Sequence, residues 1–401
     1  MALFKSLAHR PFLLLWSGQA VSRLGDSLYQ IALAWWVLER TGSAAAMGAV
    51  FICGAVPTVV FALIGGVAVD RLPRVRLMLG ADALRGVLAT GLAALATTNR
   101  LEIWHIGLAS ALFGLVSALF LPAYTALIPD ITPRHLLPSA NALTSLSAEI
   151  TSVVGPALGA YLIGRGGPAL AFALDGGSFL FSALCLLSLR QPSPTQPPKQ
   201  GPASILGDLR AGLQTAMAAS WLWMTIGMLA LLNLTGRSPM NVALPFLVRD
   251  SLRADVDMLG ILYSVFSLGS IAGAVWAGQR MQRRGLIVYR ALTLVGLATL
   301  ALGLPLGILG SVLAILILGA ALAVANLAWS HIIQEYVPAH MLGRVASITL
   351  LGSTSLLPLG FALSGWATDR LGPAPVFAIC GTLTAALAAL GLLSRAIREL
   401  E

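Results

Sequence analysis

The sequence predicts an all-α membrane protein of twelve transmembrane helices arranged as two pseudo-symmetric six-helix bundles. Three observations lead there. Hydrophobic residues make up 57% of the 401 residues and charged residues only 10%, too little charge to cover a soluble surface of this size. Apolar runs of roughly 20 residues, the length of a bilayer-spanning helix, recur along the whole chain. Between two such sets lies QPSPTQPPKQGP, residues 191–202. Its prolines stop helix and strand alike, so it reads as a polar linker.

The runs are continuous rather than alternating, and in a medium without water only helices or closed barrels satisfy the backbone. The first half gives spans at 12–38, 44–69, 76–98, 103–128, 139–164 and 168–190. The second gives 220–248, 257–281, 286–308, 311–333, 344–366 and 373–397. The domains are therefore an N-terminal bundle 1–190, a linker 191–219 and a C-terminal bundle 220–401. Residues 203–219 place Ile205, Leu206, Leu209 and Leu213 at helical spacing, the pattern of a short surface helix. The start of the chain has no cleavable signal, and its first run is expected to stay as a membrane helix.

The formal net charge of +9 does not call for nucleic acid. Lys5, Arg10, Arg71, Arg74, Arg76, Arg134, Arg280, Arg283, Arg284, Arg290, Arg344, Arg395 and Arg398 share one set of loops with the linker. The opposite loops hold few, among them Arg40, Arg100 and Arg165. The positive-inside rule makes the richer side, and with it both termini, cytoplasmic. Cys53, Cys185 and Cys380 are isolated in apolar runs without metal spacing, so no metal, disulfide or cofactor is expected.

The halves repeat. SLYQIALAWWV (27–37) aligns with SPMNVALPFLV (238–248), and GVAVDRLP (66–73) with GQRMQRRG (278–285). IPDITPRHLLP (128–138) aligns with IQEYVPAHMLG (333–343), and GPALGAYLIGRGGP (155–168) with GFALSGWATDRLGP (360–373). The order is kept at nearly constant spacing, and six spans per unit make the repeat parallel.

Ionisable groups inside a span are costly and are functional candidates by default. In the first span Gln19, Arg23, Asp26 and Gln30 fall on one helical face. In the seventh, Asn233, Arg237 and Asn241 do the same. The repeat sets Asp26 against Arg237, with a local Arg23–Asp26 pair as the alternative. Glu149 in the fifth span is a proton site or an arginine's partner. Asp82 and Arg85, three apart in the third span, read as an ion pair beside the loop that follows Gly66, Asp70 and Arg71 and contains Arg74. Asp175 in the sixth span is a brace or a transport residue. Asn326, Trp329 and His331 lie in the tenth span, and Trp329 offers a flat apolar face.

Gly66-Val-Ala-Val-Asp70-Arg71-Leu-Pro-Arg74-Val-Arg76 resembles the G-x-L-A-D-R-x-G-R-[RK] loop of the major facilitator superfamily, with Pro73 in place of its glycine. Gly155-Pro156-Ala-Leu-Gly159 resembles that family's antiporter motif. GQAVSRLGDSLYQIALAWWVLERTGS, LIPDITPRHLLPSANAL, LDGGSFLFSAL and VPAHMLGRVAS are similar to its drug:proton antiporter group, which includes macrolide-efflux proteins and the enterobactin exporter. The resemblance implies a major facilitator fold whose first and seventh helices line a central cavity. It implies gating by Gly66, Asp70, Arg71, Arg74, Asp82, Arg85, Gly155, Pro156 and Gly159. Substrate contact then falls to Gln19, Arg23, Asp26, Gln30, Asn233, Arg237, Asn241, Asn326 and Trp329, and proton coupling to Asp26 and Glu149. Gln282, where the first copy has Asp70, makes the gating asymmetric. Span 103–128 lacks the arginine usual in the family's fourth helix.

The expected activity is secondary export of a hydrophobic or amphipathic small molecule by a monomer in the inner membrane, driven by protons. There is no phosphate-cradling G-x-x-x-x-G-K-[ST] and no catalytic constellation, so neither an ATPase nor another enzyme is expected. Siderophore export, lysophospholipid flipping and a non-transporting membrane sensor or assembly factor stay open.

Overall fold

The computed structural model describes residues 4–189, 220–280, 284–337 and 341–394, all of them helix or short connection. The linker, the surface helix expected at 203–219, and Gln282 lie outside the described residues.

Helix α1, Arg10–Thr41, starts with Pro11 in its first turn, where a missing N–H costs nothing. It ends at Gly42 (φ 60°), whose N–H bonds to the Leu38 carbonyl. Helix α2 covers Ala44–Arg71, α3 Arg74–Thr97 and α4 Ile103–Ile131. Glu102 and His105 cap α4 reciprocally. Helix α5, Leu137–Leu187, has 51 residues, about 75 Å at 1.5 Å per residue and more than twice a hydrocarbon core. It is broken at Gly167 (φ 69°, ψ 175°), followed at once by Pro168, giving two arms.

After the undescribed stretch, α6 (Ser220–Leu232) runs through a π-turn, Asn233–Arg237, into α7 (Ser238–Phe246), and a second π-turn follows at Leu247–Ser251. Then come α8 (Val256–Arg280), α9 (Arg284–Leu302), α10 (Gly307–Tyr336), α11 (Leu342–Thr354), α12 (Leu357–Leu371) and α13 (Pro373–Gly391). Gly372 (φ 87°, ψ 165°) precedes Pro373 in the same conformation as Gly167 before Pro168, at the aligned position of the repeat. Only glycine takes these angles without strain. Among the described residues nine helices are long and apolar enough to cross a membrane, and the doubled Arg134–Leu187 counts once among them. The described helices therefore do not by themselves give the count of twelve.

Unit 1 comprises Met1–Gly42, Ala49–Lys199 and Asp255–Ile261; unit 2 comprises Ser43–Gly48, Gln200–Ala254 and Leu262–Glu401. In unit 1, α5 packs along α1 and α3, and α3 along α4. Phe12, Met78, Leu127, Leu143 and Leu186 fill the core between them. In unit 2, α9 packs along α10 and α13, α6 meets α11, and α7 meets α12.

Small residues set the closest crossings. A Cβ on Gly114 of α4 would strike the Gly54 carbonyl of α2, and one on Gly319 of α10 would strike the Phe266 carbonyl of α8. Thr58 Oγ1 donates to the Gly54 and Gly114 carbonyls at 2.8 and 3.1 Å. Gly114→Val is expected to force α2 and α4 apart and to destabilise the protein by about 1–3 kcal/mol, the usual cost of overpacking. A fall in the melting temperature of the purified protein in detergent, larger than for Gly80→Val, where nothing lies within 4 Å, checks it.

Candidate functional site

The polar face of α1 meets the second arm of α5 and the middle of α3 in unit 1. Gln19, 4% exposed, donates from Nε2 to Ser182 Oγ at 2.9 Å. Ser182 Oγ in turn donates to Asp82 Oδ2 at 2.7 Å. Asp82 Oδ1 accepts from Arg85 Nη2 at 2.7 Å, and both residues are buried. The Arg85 guanidinium lies 4.2 and 4.5 Å from the ring centres of Phe120 and Phe179, a cation–π cradle in which a desolvated cation is favoured. A buried ion pair is tolerable only when its remaining lone pairs and protons are bonded, and Ser182 and Gln19 supply part of that.

Ser182→Ala is expected to strip Asp82 of its second donor. The stability loss should be about 1–3 kcal/mol, the cost of an unsatisfied buried acceptor bonded to charge, read as a lower melting temperature that Ser188→Ala, on the exposed end of the arm, does not share.

Asp175, on the same arm, is fully buried and neither of its carboxylate oxygens has a hydrogen-bond partner. Tyr29 packs edge-on to Phe113 at 4.9 Å and tilted on Phe172 at 5.6 Å. Its hydroxyl and that of neighbouring Ser110 are sealed without a well-formed bond. Asp26 is half-buried and makes no ion pair with Arg23. Arg23 instead donates to the Thr144 carbonyl at 3.3 Å and lies 5.3 Å from the centre of the Tyr124 ring. With Leu121, Tyr124, Asn141, Thr144 and Ser145 it lines a cavity of about 280 Å³ in unit 1. Gln30 is exposed, as is Glu149, which makes no ion pair among the described residues.

The glycines of the antiporter-like motif are contact points. A Cβ on Gly155 would sit 2.6 Å from Ser27 Cβ, and one on Gly159 3.2 Å from the Leu28 backbone. The Pro156 carbonyl lies against Gly260, in the part of α8 that belongs to unit 1. The motif therefore sets how closely α5 approaches α1. Arg74 is ion-paired with Asp130 at the end of α4 and donates to the Ala126 carbonyl at 3.2 Å. Gly66, Asp70 and Arg71 fall in the last turns of α2, whose side chains are outside the described set.

In unit 2, Asn233 donates to the Leu229 and Ser353 carbonyls, both at 3.1 Å, tying the π-turn to α11. Asn241 donates to the Arg237 carbonyl at 2.8 Å. Arg237 ends the π-turn, is exposed, and makes no ion pair among the described residues. Trp329 is buried and Asn326 exposed. Asp26 and Arg237 lie in different units.

Sequence reasoning missed Ser182, which joins Gln19 to Asp82 in unit 1, and it missed an acid in unit 2. Asp369 of α12 accepts from Ser43 Oγ at 2.8 Å and from the Ala44 and Ala45 amides at 2.6 and 3.0 Å. It caps the start of α2, where exposed N–H groups and the helix dipole favour an anion. Ser43 three residues before Ala46 was the available signal, since it is itself an N-cap type. Asp369 is far off in sequence and gave none.

Helices long and apolar enough to cross a membrane, with acids buried among those of unit 1, mark a membrane protein, and the likenesses say which class. The fold is similar to a nucleoside transporter, NupG, in a D323A mutant (TM-score 0.79, 14% identity, covering 96% of this chain and 99% of that one). It is also similar to a bacterial homologue of the iron transporter ferroportin in an inward-facing state (TM-score 0.77, 17% identity, 96% and 99%). At such identities these show the fold alone, that of the major facilitator transporters. The chain belongs to the major facilitator family described as transmembrane secretion effector, whose model matches residues 1–401. It is 24% identical to macrolide efflux protein A of Streptococcus pyogenes over 97% of each sequence. It is 31% identical to the enterobactin exporter EntS of Escherichia coli over 76% of this chain and 72% of that one. It is thus a multi-pass efflux transporter of the membrane and not an enzyme, which removes the sensor reading left open above.

Proposed function

We propose that the protein exports a hydrophobic or amphipathic small molecule of multidrug or macrolide type by proton antiport and alternating access. It acts as a monomer of twelve spans in the inner membrane, with both termini cytoplasmic. The observation that carries the substrate class is the likeness to a macrolide efflux protein along nearly the whole of both chains. Coupling to protons is supported by the acids held inside unit 1, because a charge there is too costly to keep without a use. The gating roles of Gly66, Asp70, Arg71, Arg74, Asp82, Arg85, Gly155, Pro156 and Gly159, and a pairing of Asp26 with Arg237, belong to the same proposal.

In cells lacking their own exporters, the protein is expected to lower accumulation of a tritiated macrolide. A protonophore should restore accumulation. Lowered accumulation that survives the protonophore in full would end the proton-coupled reading.

A second reading is favoured by one observation. Arg23, with Asn141, Thr144 and Ser145 around it in the cavity, offers donors in a fork suited to an anion. An anionic catecholate siderophore, as the EntS likeness suggests, or a lysophospholipid would use them. Arg23→Gln should then reduce export of the anionic compound and leave a neutral macrolide unaffected.

A further inference from the structure

The second arm of α5 buries Asp175 completely against α1 and α3, and neither carboxylate oxygen is hydrogen-bonded. The residue is wedged: its Oδ1 lies 2.7 Å from where a Cβ would stand on Gly25 of α1. The Ser178 hydroxyl beside it donates to the Asp175 backbone carbonyl at 2.7 Å and not to the carboxylate.

Among the described residues, the groups facing it offer no counter-charge that is not already paired. From α1 come Asp26 and, further round, Tyr29 and Arg23. Arg23 is turned to the Thr144 carbonyl and the Tyr124 ring. From α3 come Asp82 and Arg85, and Arg85 is already held by Asp82. Helix α4 contributes the Ser110 hydroxyl, its charged residues lying near its ends. Three carboxyl groups thus share one buried arginine, and a lone ionised carboxylate in such a place is strongly disfavoured.

We propose that Asp175 holds an exchangeable proton in this conformation and that Asp26, its half-buried neighbour on α1, passes that proton to and from water during transport. The proposal rests on the antiport reading and supplies its carrier. The proton leaves an Asp175 oxygen for the Asp26 carboxylate and then for water. The anion left behind is met by Arg85, whose Nε is buried and unpartnered.

The test uses the full chain in liposomes, with tritiated macrolide as the transport probe and infrared pH-difference spectra as a readout independent of transport. Wild type should show a titrating protonated-carboxyl band. Asp175→Asn should lose it, Asp175→Glu should shift it, and Glu149→Gln, at an exposed carboxylate away from Arg85, should retain it. Accumulation driven by a pH gradient should fall about tenfold or more in Asp175→Asn, with downhill exchange kept within about twofold. A carboxyl band unchanged in Asp175→Asn, or full gradient-driven accumulation in that variant, overturns the proposal. If Asp175→Asn does not insert, an unshifted band in Asp175→Glu overturns it equally. Wild-type transport indifferent to the gradient overturns the antiport reading itself, and the infrared arm tells that failure apart, because the band and its loss in Asp175→Asn would persist.

Discussion

Arg85→Leu should be the most damaging single change to stability, at about 3–5 kcal/mol, the cost of leaving one partner of a buried pair uncompensated. It removes the donor 2.7 Å from Asp82 Oδ1 and the cation between Phe120 and Phe179. Asp82 then stays buried without its counter-ion, bonded by the Ser182 hydroxyl. The double variant Asp82→Asn/Arg85→Leu should recover most of the loss, since no charge is then stranded. Arg85→Lys should fall between, keeping the charge and losing the planar contact with the rings. Melting temperatures of the four proteins in one detergent check this. A double variant as unstable as the sum of the singles would mean that the pair has no coupling energy.

Asp26→Asn should abolish concentrative export while the protein still folds and inserts. Asp26 is half-buried and makes no ion pair among the described residues, so its loss strands no partner in unit 1. Its effect should therefore be on coupling and not on stability. Glu149→Gln provides the contrast. The sequence put both carboxylates forward as coupling sites, yet Glu149 lies exposed on the first arm of α5, apart from the buried chain of Gln19, Ser182, Asp82 and Arg85. Export against a gradient, measured across pH, should lose its pH dependence in Asp26→Asn and keep most of it in Glu149→Gln. Equal flattening in both would return Glu149 to the coupling machinery. Asp26→Arg with Arg237→Asp tests the proposed pairing of those two: partial recovery relative to each single variant supports it, and additive losses oppose it.

Much was legible in the sequence because it depends on local rules. Run length and the absence of water fix helices. The recurrence of aligned blocks marks a duplication, and the matching Gly167-Pro168 and Gly372-Pro373 turns carry it into the backbone. The 3.6-residue period puts Gln19, Arg23, Asp26 and Gln30 on one face. Three-residue spacing likewise suggested that Asp82 and Arg85 could meet on one helix, and they do.

Helical period does not say which neighbouring helix a face meets, or at what depth. Gln19 reaches Ser182 and Ser182 reaches Asp82 across separations of 163 and 100 residues. Asp369 reaches the start of α2 across more than 300. Gly25 lets α5 come close enough to seal Asp175, while Glu149, on the same long helix, is left open. The sequence thus determined the helices, their duplication and the polar face of α1. Only the tertiary structure decided which acids are buried, which are bonded and which stand alone. That depends on the rotation and approach of packed helices, set by small residues far apart in the chain.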